Sequence, residues 1–105
     1  MTAKTRRQQL EEMLADQPED AELRYMLGME HASAGDDEGA VRCFADLLRV
    51  DPAYPPAYHQ AGRALVRLNR IGEAQELLRR GVAAAQAKGD LHAAGEMQGL
   101  LESLD

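Results

Sequence analysis

The chain has 105 residues, 18 acidic against 12 Lys or Arg for a net charge of −6, with one cysteine and no tryptophan. That length suits one domain with a single modest core, and shares of 45% apolar and 29% charged residues exclude wholesale disorder. The acidic balance argues against general nucleic-acid binding, the lone Cys43 excludes an internal disulfide, and no apolar run approaches the roughly 20 residues of a membrane span.

Helix formers dominate and β-branched residues are scarce, so every predicted element is a helix. The first, over 3–16, carries the stripe Leu10, Met13 and Leu14 and stops at Gln17-Pro18. The second, over 19–34, carries Leu23, Met26 and Leu27 and stops at Gly35-Asp36-Asp37. Val41, Phe44, Leu47 and Leu48 line the third, over 37–50, which ends at Asp51-Pro52. Pro55-Pro56 open the fourth, over 54–68, and Asn69-Arg70 close it. The fifth runs over 71–87 to Gly89-Asp90, and the sixth, over 90–104, is lined by Leu91, Ala94, Leu101 and Leu104. The i, i+3, i+4 and i+7 spacing is that of amphipathic helices. At the breaks, Asp caps helix starts, Pro fits a first turn, and Gly or Asn takes the left-handed exit. Connections this short make consecutive helices antiparallel neighbours.

Displacing the sequence on itself by 34 positions superimposes Pro18 on Pro52, Gly28 on Gly62, Ala40 on Ala74, Phe44 on Leu78 and Leu48 on Val82. The first helix joins in, with Leu10 falling on Phe44 and Met13 on Leu47. One unit of two helices has been copied. A glycine inside a helix costs about 1 kcal/mol relative to alanine, so Gly28 with Ala40, and Gly62 with Ala74, are expected to let paired helices pack backbone to backbone.

This order of residues resembles the tetratricopeptide repeat family, whose unit reads W-x2-L-G-x2-Y, then A-x3-F, then P. Residues 21–54 supply Leu27-Gly28, Ala40, Phe44 and Pro52, with Arg24 in the Trp place and His31 in the Tyr place. Residues 55–88 supply Tyr58 in the Trp place, Gly62, Leu65 in the Tyr place, Ala74 and Leu78, with Gln86 instead of the closing Pro. The resemblance implies an all-α fold, a short right-handed superhelix of antiparallel helical hairpins. Its parts are a degenerate half repeat over 1–20, full repeats over 21–54 and 55–88, and a capping helix over 89–105.

The resemblance further implies that the first helix of each repeat lines a concave groove. Matching positions place Glu22, Tyr25, Met26, Met29 and Ser33 there from the first repeat, and His59, Gln60, Arg63, Val66 and Arg67 from the second. An Arg fork holds a carboxylate with two hydrogen bonds, beside an adaptable floor of Met and Tyr. The expected function is a non-catalytic interaction module for a peptide or partner helix bearing a carboxylate. Family members that clamp acidic chaperone tails carry Lys and Asn where this chain has Tyr25, Met29 and Gln60, so that use is not expected. The charge is uneven: residues 17–52 hold nine acidic and three basic side chains, and residues 53–88 two acidic and six basic. Such asymmetry steers an acidic ligand to the second repeat, neutralises neighbouring repeats, or pairs two copies. A homo-oligomer whose groove or cap face is filled by another copy is therefore the alternative.

Catalysis is not expected, because no Ser-His-Asp order, phosphate loop or nucleophile elbow is present. His31, His59, His92 and Cys43 lack metal-ligand spacing, and neither a metal nor a cofactor is expected. His31 and Cys43 read as packing residues, and Gly95 with Gly99 as close-packing positions of the last helix. The opening Thr2-Ala3-Lys4-Thr5-Arg6-Arg7 is followed by no apolar segment, so no secretory signal is expected, and the location is expected to be cytoplasmic.

Overall fold

Thr5 begins the first helix two residues later than periodicity alone suggests. Its hydroxyl accepts from the Gln8 backbone N–H while the Gln8 side chain accepts from the Thr5 N–H, a reciprocal capping box. The computed structural model describes residues 3–105; Met1 and Thr2, part of the N-terminal cap expected over 1–20, lie outside the described residues. Six helices follow in order: α1 (Arg6–Asp16), α2 (Ala21–Ser33), α3 (Asp37–Val50), α4 (Pro55–Arg67), α5 (Ile71–Ala87) and α6 (Leu91–Ser103). No strand occurs among the described residues.

The starts and stops have the physical causes read from the sequence. Asp20, Asp36 and Asp90 accept from the backbone N–H groups of Leu23, Gly39 and Ala93, meeting donors that a helix start leaves unpaired. Pro55 takes the first position of α4, where its missing N–H costs nothing. Gly35, Asn69 and Gly89 adopt positive φ of 79°, 59° and 76° at the exits of α2, α4 and α5. Gly35 and Asn69 are 34 positions apart, so the copied unit includes its turn.

Each helix packs on the next, while α4 also touches α2 on one side and α6 on the other. The result is a helical repeat superhelix of 50 × 28 × 19 Å. Its main core is centred on Phe44, Leu47, Leu78 and Met97, all fully buried, each contributing roughly 1.5–3 kcal/mol of apolar burial. A satellite core of Leu10, Leu23 and Leu27 seats α1 as the N-terminal cap, with Leu14, Met26 and Cys43 around it.

The in-helix glycines work differently from the backbone-to-backbone expectation. A Cβ on Gly28 would lie 2.5 Å from the Phe44 ring, and one on Gly62 would lie 2.7 Å from a Leu78 methyl. The space is filled by the large side chain 16 residues on, in both repeats. Ala40 and Ala74 are fully buried in the same layers. Gly81 extends the pattern, since a Cβ there would meet the Tyr58 Cβ at 2.6 Å and the Met97 sulfur at 2.5 Å.

The N-caps set the register of the last helix. Asp20 and Tyr54 are 34 positions apart, Tyr54 and Asp90 are 36. The surplus arises because α5 has 17 residues against the 14 of α3, while its exit turn is one residue shorter. In that register α6 corresponds to α2 and α4, with Gly95 matching Tyr25 and His59, Glu96 matching Met26 and Gln60, and Gly99 matching Met29 and Arg63.

Candidate concave groove

The candidate groove runs along α2 and α4, and α6 packs on the other side of α4. At its N-terminal end Tyr25 is half-buried, its ring tilted against Phe44 at 5.8 Å and against Tyr54 at 5.6 Å between centroids. Burial pushes the Tyr25 phenol up, and the Gln60 side chain facing it offsets part of that rise. Tyr25, Met26, Met29 and Ser33 border a concavity of about 170 Å³, closed by Arg6 and Glu30, which pair at 3.3 Å. Arg6 and Glu30 are not among the residues expected in the groove: α1 reads as a cap with no groove position of its own, and Glu30 of α2 falls outside the positions matched to the family groove.

Toward the second repeat, Met29 and Ser33 are shared with a larger concavity of about 400 Å³, bordered also by Gln60, Arg63 and Arg67. Seven of the ten residues expected to line the groove therefore border these two adjoining concavities, and Glu22, His59 and Val66 do not. His59 stands apart from both concavities, on the flank of α4 that faces α6. Burial pushes its imidazole below the ordinary value, the Glu96 carboxylate works in the opposite direction, and the Arg63 charge lowers it further. Glu96 is itself 2.9 Å from His92 Nε2. The match of α6 to α2 and α4 escaped the sequence reading because α5 and its exit turn are together two residues longer than α3 and its turn, which breaks the 34-residue spacing; counting from Asp90 restores it.

The two groove arginines differ. Arg67 is committed within the molecule, its Nε and Nη2 each 2.9 Å from Asp37 Oδ1 at the start of α3. Arg70, at the α4–α5 turn, reaches Glu38 at 3.3 Å and Glu73 at 2.6 Å. The basic second repeat thus neutralises the acidic first turn of α3, one of the three uses its charge suggested. Arg63 has no carboxylate within salt-bridge distance among the described residues and is exposed. Arg80 lies over the Tyr58 ring at 5.7 Å and Lys88 donates to the Ala53 carbonyl at 2.7 Å.

Among the described residues no three His, Cys, Asp or Glu side chains come close enough to hold a metal, and no helix is long and apolar enough to cross a membrane. Burial, with Asp46 adding to it, pushes the Cys43 thiol up, the opposite of what a reactive thiolate needs. His31 is mostly buried with Nδ1 2.9 Å from Asp36 Oδ2, so its polar ring is satisfied between helices.

With stacked helical hairpins, glycine against a large residue in each, and a groove on their first helices, comparison with known proteins becomes decisive. The tetratricopeptide repeat family profile matches residues 31–96. The chain belongs to the tetratricopeptide repeat family. It is 33% identical over 96 residues, 91% of either chain, to the TPR repeat-containing protein PA0015 of Pseudomonas aeruginosa. Among solved structures it is similar to protein BPP2914 from Bordetella parapertussis, with a TM-score of 0.83, 29% identity, and coverage of 97% of this chain and 89% of that one. It is also similar to a tetratricopeptide repeat domain protein from Salinibacter ruber, with a TM-score of 0.79, 28% identity, and coverage of 84% and 89%. Tetratricopeptide repeats are generally protein–protein interaction modules and typically non-enzymatic scaffolds.

Proposed function

We propose that this tetratricopeptide repeat chain is a non-catalytic cytoplasmic adaptor that holds a carboxylate-bearing peptide or partner helix in its concave groove. Tyr25, Met26 and Met29 supply the apolar floor, Gln60 an adaptable amide, and Arg63 the charge recognition. One observation carries this reading: Arg63 borders the larger concavity with no carboxylate partner of its own, whereas Arg67 is paired with Asp37. An Arg fork without an internal partner is available to hold a ligand carboxylate bidentately. Arg67 frames the site, and His59 adds a second cation beside Arg63 only when protonated.

The self-associating alternative has less support. For copies to stack end to end, α6 of one would have to accept α1 of the next as its hairpin partner. Arg6 stands in α1 where α3 has the fully buried Ala40, and Gln98 stands in α6 where α2 has Gly28. A long side chain in either place blocks the close approach that seats Phe44 beside Gly28. Both end helices are mostly polar outside, as caps of repeat arrays are, although Met13 and Leu91 are exposed there.

The test is affinity capture from native lysate with wild type and Arg63→Glu, after both are shown to fold, beside sedimentation velocity of the purified protein. A protein retained by wild type and lost by the variant supports the groove reading. Equal retention by both overturns it. Concentration-dependent mass, with nothing captured but the chain itself, replaces it with self-assembly.

A further inference from the structure

We propose that the convex face carries a second docking surface, a trough between α3 and α5, whose occupant is an amphipathic helix of a partner protein with an acidic first turn and a basic last turn. This surface is separate from the concave groove and does not depend on the reading of Arg63. The Cα atoms of α3 and α5 stay more than 8 Å apart, and Leu65 of α4 lines the trough between them. Val41, Ala45, Leu48 and Leu77 give the trough an apolar lining, in a depression of about 410 Å³ that runs on into another of about 240 Å³. Gly72 at its margin leaves open space where a side chain would stand.

The repeat itself shows that the fold does not demand this lining. Displaced by 34 positions, Val41 corresponds to Arg7 and Gln75 and Ala45 to Glu11 and Arg79, whereas Leu48 stays apolar as Leu14 and Val82, and Leu77 matches Cys43. Charged and polar residues serve at the first two positions in the same fold, so the apolar character of Val41 and Ala45 belongs to this trough and not to the architecture. Ala45 is exposed, Val41 and Leu77 are half-buried and Leu48 belongs to the edge of the core, so the trough has a small apolar floor with charge at its rim, and a helix laid in a groove is a recurrent way of filling such a depression.

The charges select the occupant and its direction. Glu73 and Glu76 border only the end of the trough near Val41, and Arg49 only the end near Leu48, with Arg80 reaching both depressions. A helix lying antiparallel to α3 and α5 brings its first turn to Arg49 and Arg80, and its last turn to Glu73 and Glu76. Acidic first turns and basic last turns are what a helix dipole favours, so the complementary occupant is also a well-formed helix. The internal pairs of these rim residues, Arg49 with Asp46 and Glu73 with Arg70, are exposed and exchange for intermolecular pairs at little cost.

The experiment uses a designed helical peptide of about 14 residues, about 21 Å long, with Leu at i, i+3, i+7 spacing, Glu in its first turn and Lys in its last. It is titrated into the isotope-labelled full chain by NMR beside a peptide with those charges exchanged. The expected result is amide shifts at Val41, Ala45 and Leu77, and affinity for the exchanged peptide lower by roughly threefold or more. Ala45→Arg, which installs the residue already tolerated at position 79, is expected to weaken binding by roughly tenfold, while Arg63→Glu leaves it unchanged. The proposal is overturned by shifts confined to Met29 and Arg63, by equal affinity for the two peptides, or by no shifts at about 1 mM peptide. A wild-type dimer that Ala45→Arg dissociates overturns it too, since the occupant is then a second copy.

Discussion

The Tyr58 hydroxyl donates a hydrogen bond to the Pro52 carbonyl at 2.8 Å, from a ring that is almost fully buried. Thirty-four positions earlier the Arg24 guanidinium does the same for the Pro18 carbonyl, 3.1 Å from Nε. Two unlike side chains in the family's Trp place thus tie a groove helix to the proline turn that precedes it. Tyr58→Phe keeps the ring and deletes the part-buried bond to the Pro52 carbonyl. The expected loss is about 1 kcal/mol in urea denaturation. Arg24→Met, at a solvent-accessible bond, is expected to lose less, and a larger loss there would reverse the ranking of the two anchors.

Glycines in these helices are expected to respond to substitution with opposite signs. Gly62→Leu forces a branched side chain into space already held by Leu78, 2.7 Å from an added Cβ, and overpacking of this kind costs about 1–3 kcal/mol. Gly95→Ala and Gly99→Ala meet nothing within 4 Å and recover up to about 1 kcal/mol of helix propensity each. Thermal melts should therefore move down for the first and up for the other two. An unchanged melt for Gly62→Leu would place the hairpin contact elsewhere.

Charge reversal separates the two groove arginines. Arg63→Glu changes an exposed residue without an internal partner and should hold stability within about 0.5 kcal/mol. Arg67→Glu sets a carboxylate against Asp37, whose side chain is 15% exposed, and should cost about 1 kcal/mol. Adding Asp37→Arg to Arg67→Glu should restore part of that loss. Chemical denaturation of the two single variants and the double variant forms the cycle that measures the coupling. Equal stability of Arg63→Glu and Arg67→Glu would refute the difference.

Acid should weaken the fold in a way two carboxylates explain. The Gly39 backbone N–H, then the His31 ring, holds Asp36 below the ordinary carboxylate value, and the Arg70 guanidinium does so for Glu73. A lowered folded pKa means the unfolded chain binds the proton more readily. The stabilisation is then complete above the ordinary carboxylate value and is lost as pH falls through the lowered one. Melting temperature should drop between about pH 5 and pH 2, and Asp36→Asn should flatten that drop while lowering stability at neutral pH. A slope unchanged in Asp36→Asn would remove Asp36 from the account.

Most of the fold was legible in the sequence because its determinants are local. The stripe Val41, Phe44, Leu47 and Leu48, the caps Asp20, Asp36 and Asp90, and the turn residues Gly35, Asn69 and Gly89 each act within one helical turn of where they stand. The helix ends shifted by one to three residues where a side chain chose the cap, as Thr5 did with Gln8. The 34-residue spacing of Gly28 with Gly62 and Phe44 with Leu78 then identified the copied unit of two helices.

The rest was decided by distances between residues far apart in the chain. That Phe44 and Leu78, rather than backbone, fill the space beside Gly28 and Gly62 depends on how deeply paired helices interlock. That Arg67 is committed to Asp37 while Arg63 stays unpaired depends on where the α4–α5 hairpin meets the first turn of α3, thirty residues away. The place of Glu96 beside His59 depends on the two residues by which α5 and its turn exceed α3 and its turn. Periodicity and capping carry no record of such separations, because charge and shape complementarity between helices exist only once packing has fixed their spacing.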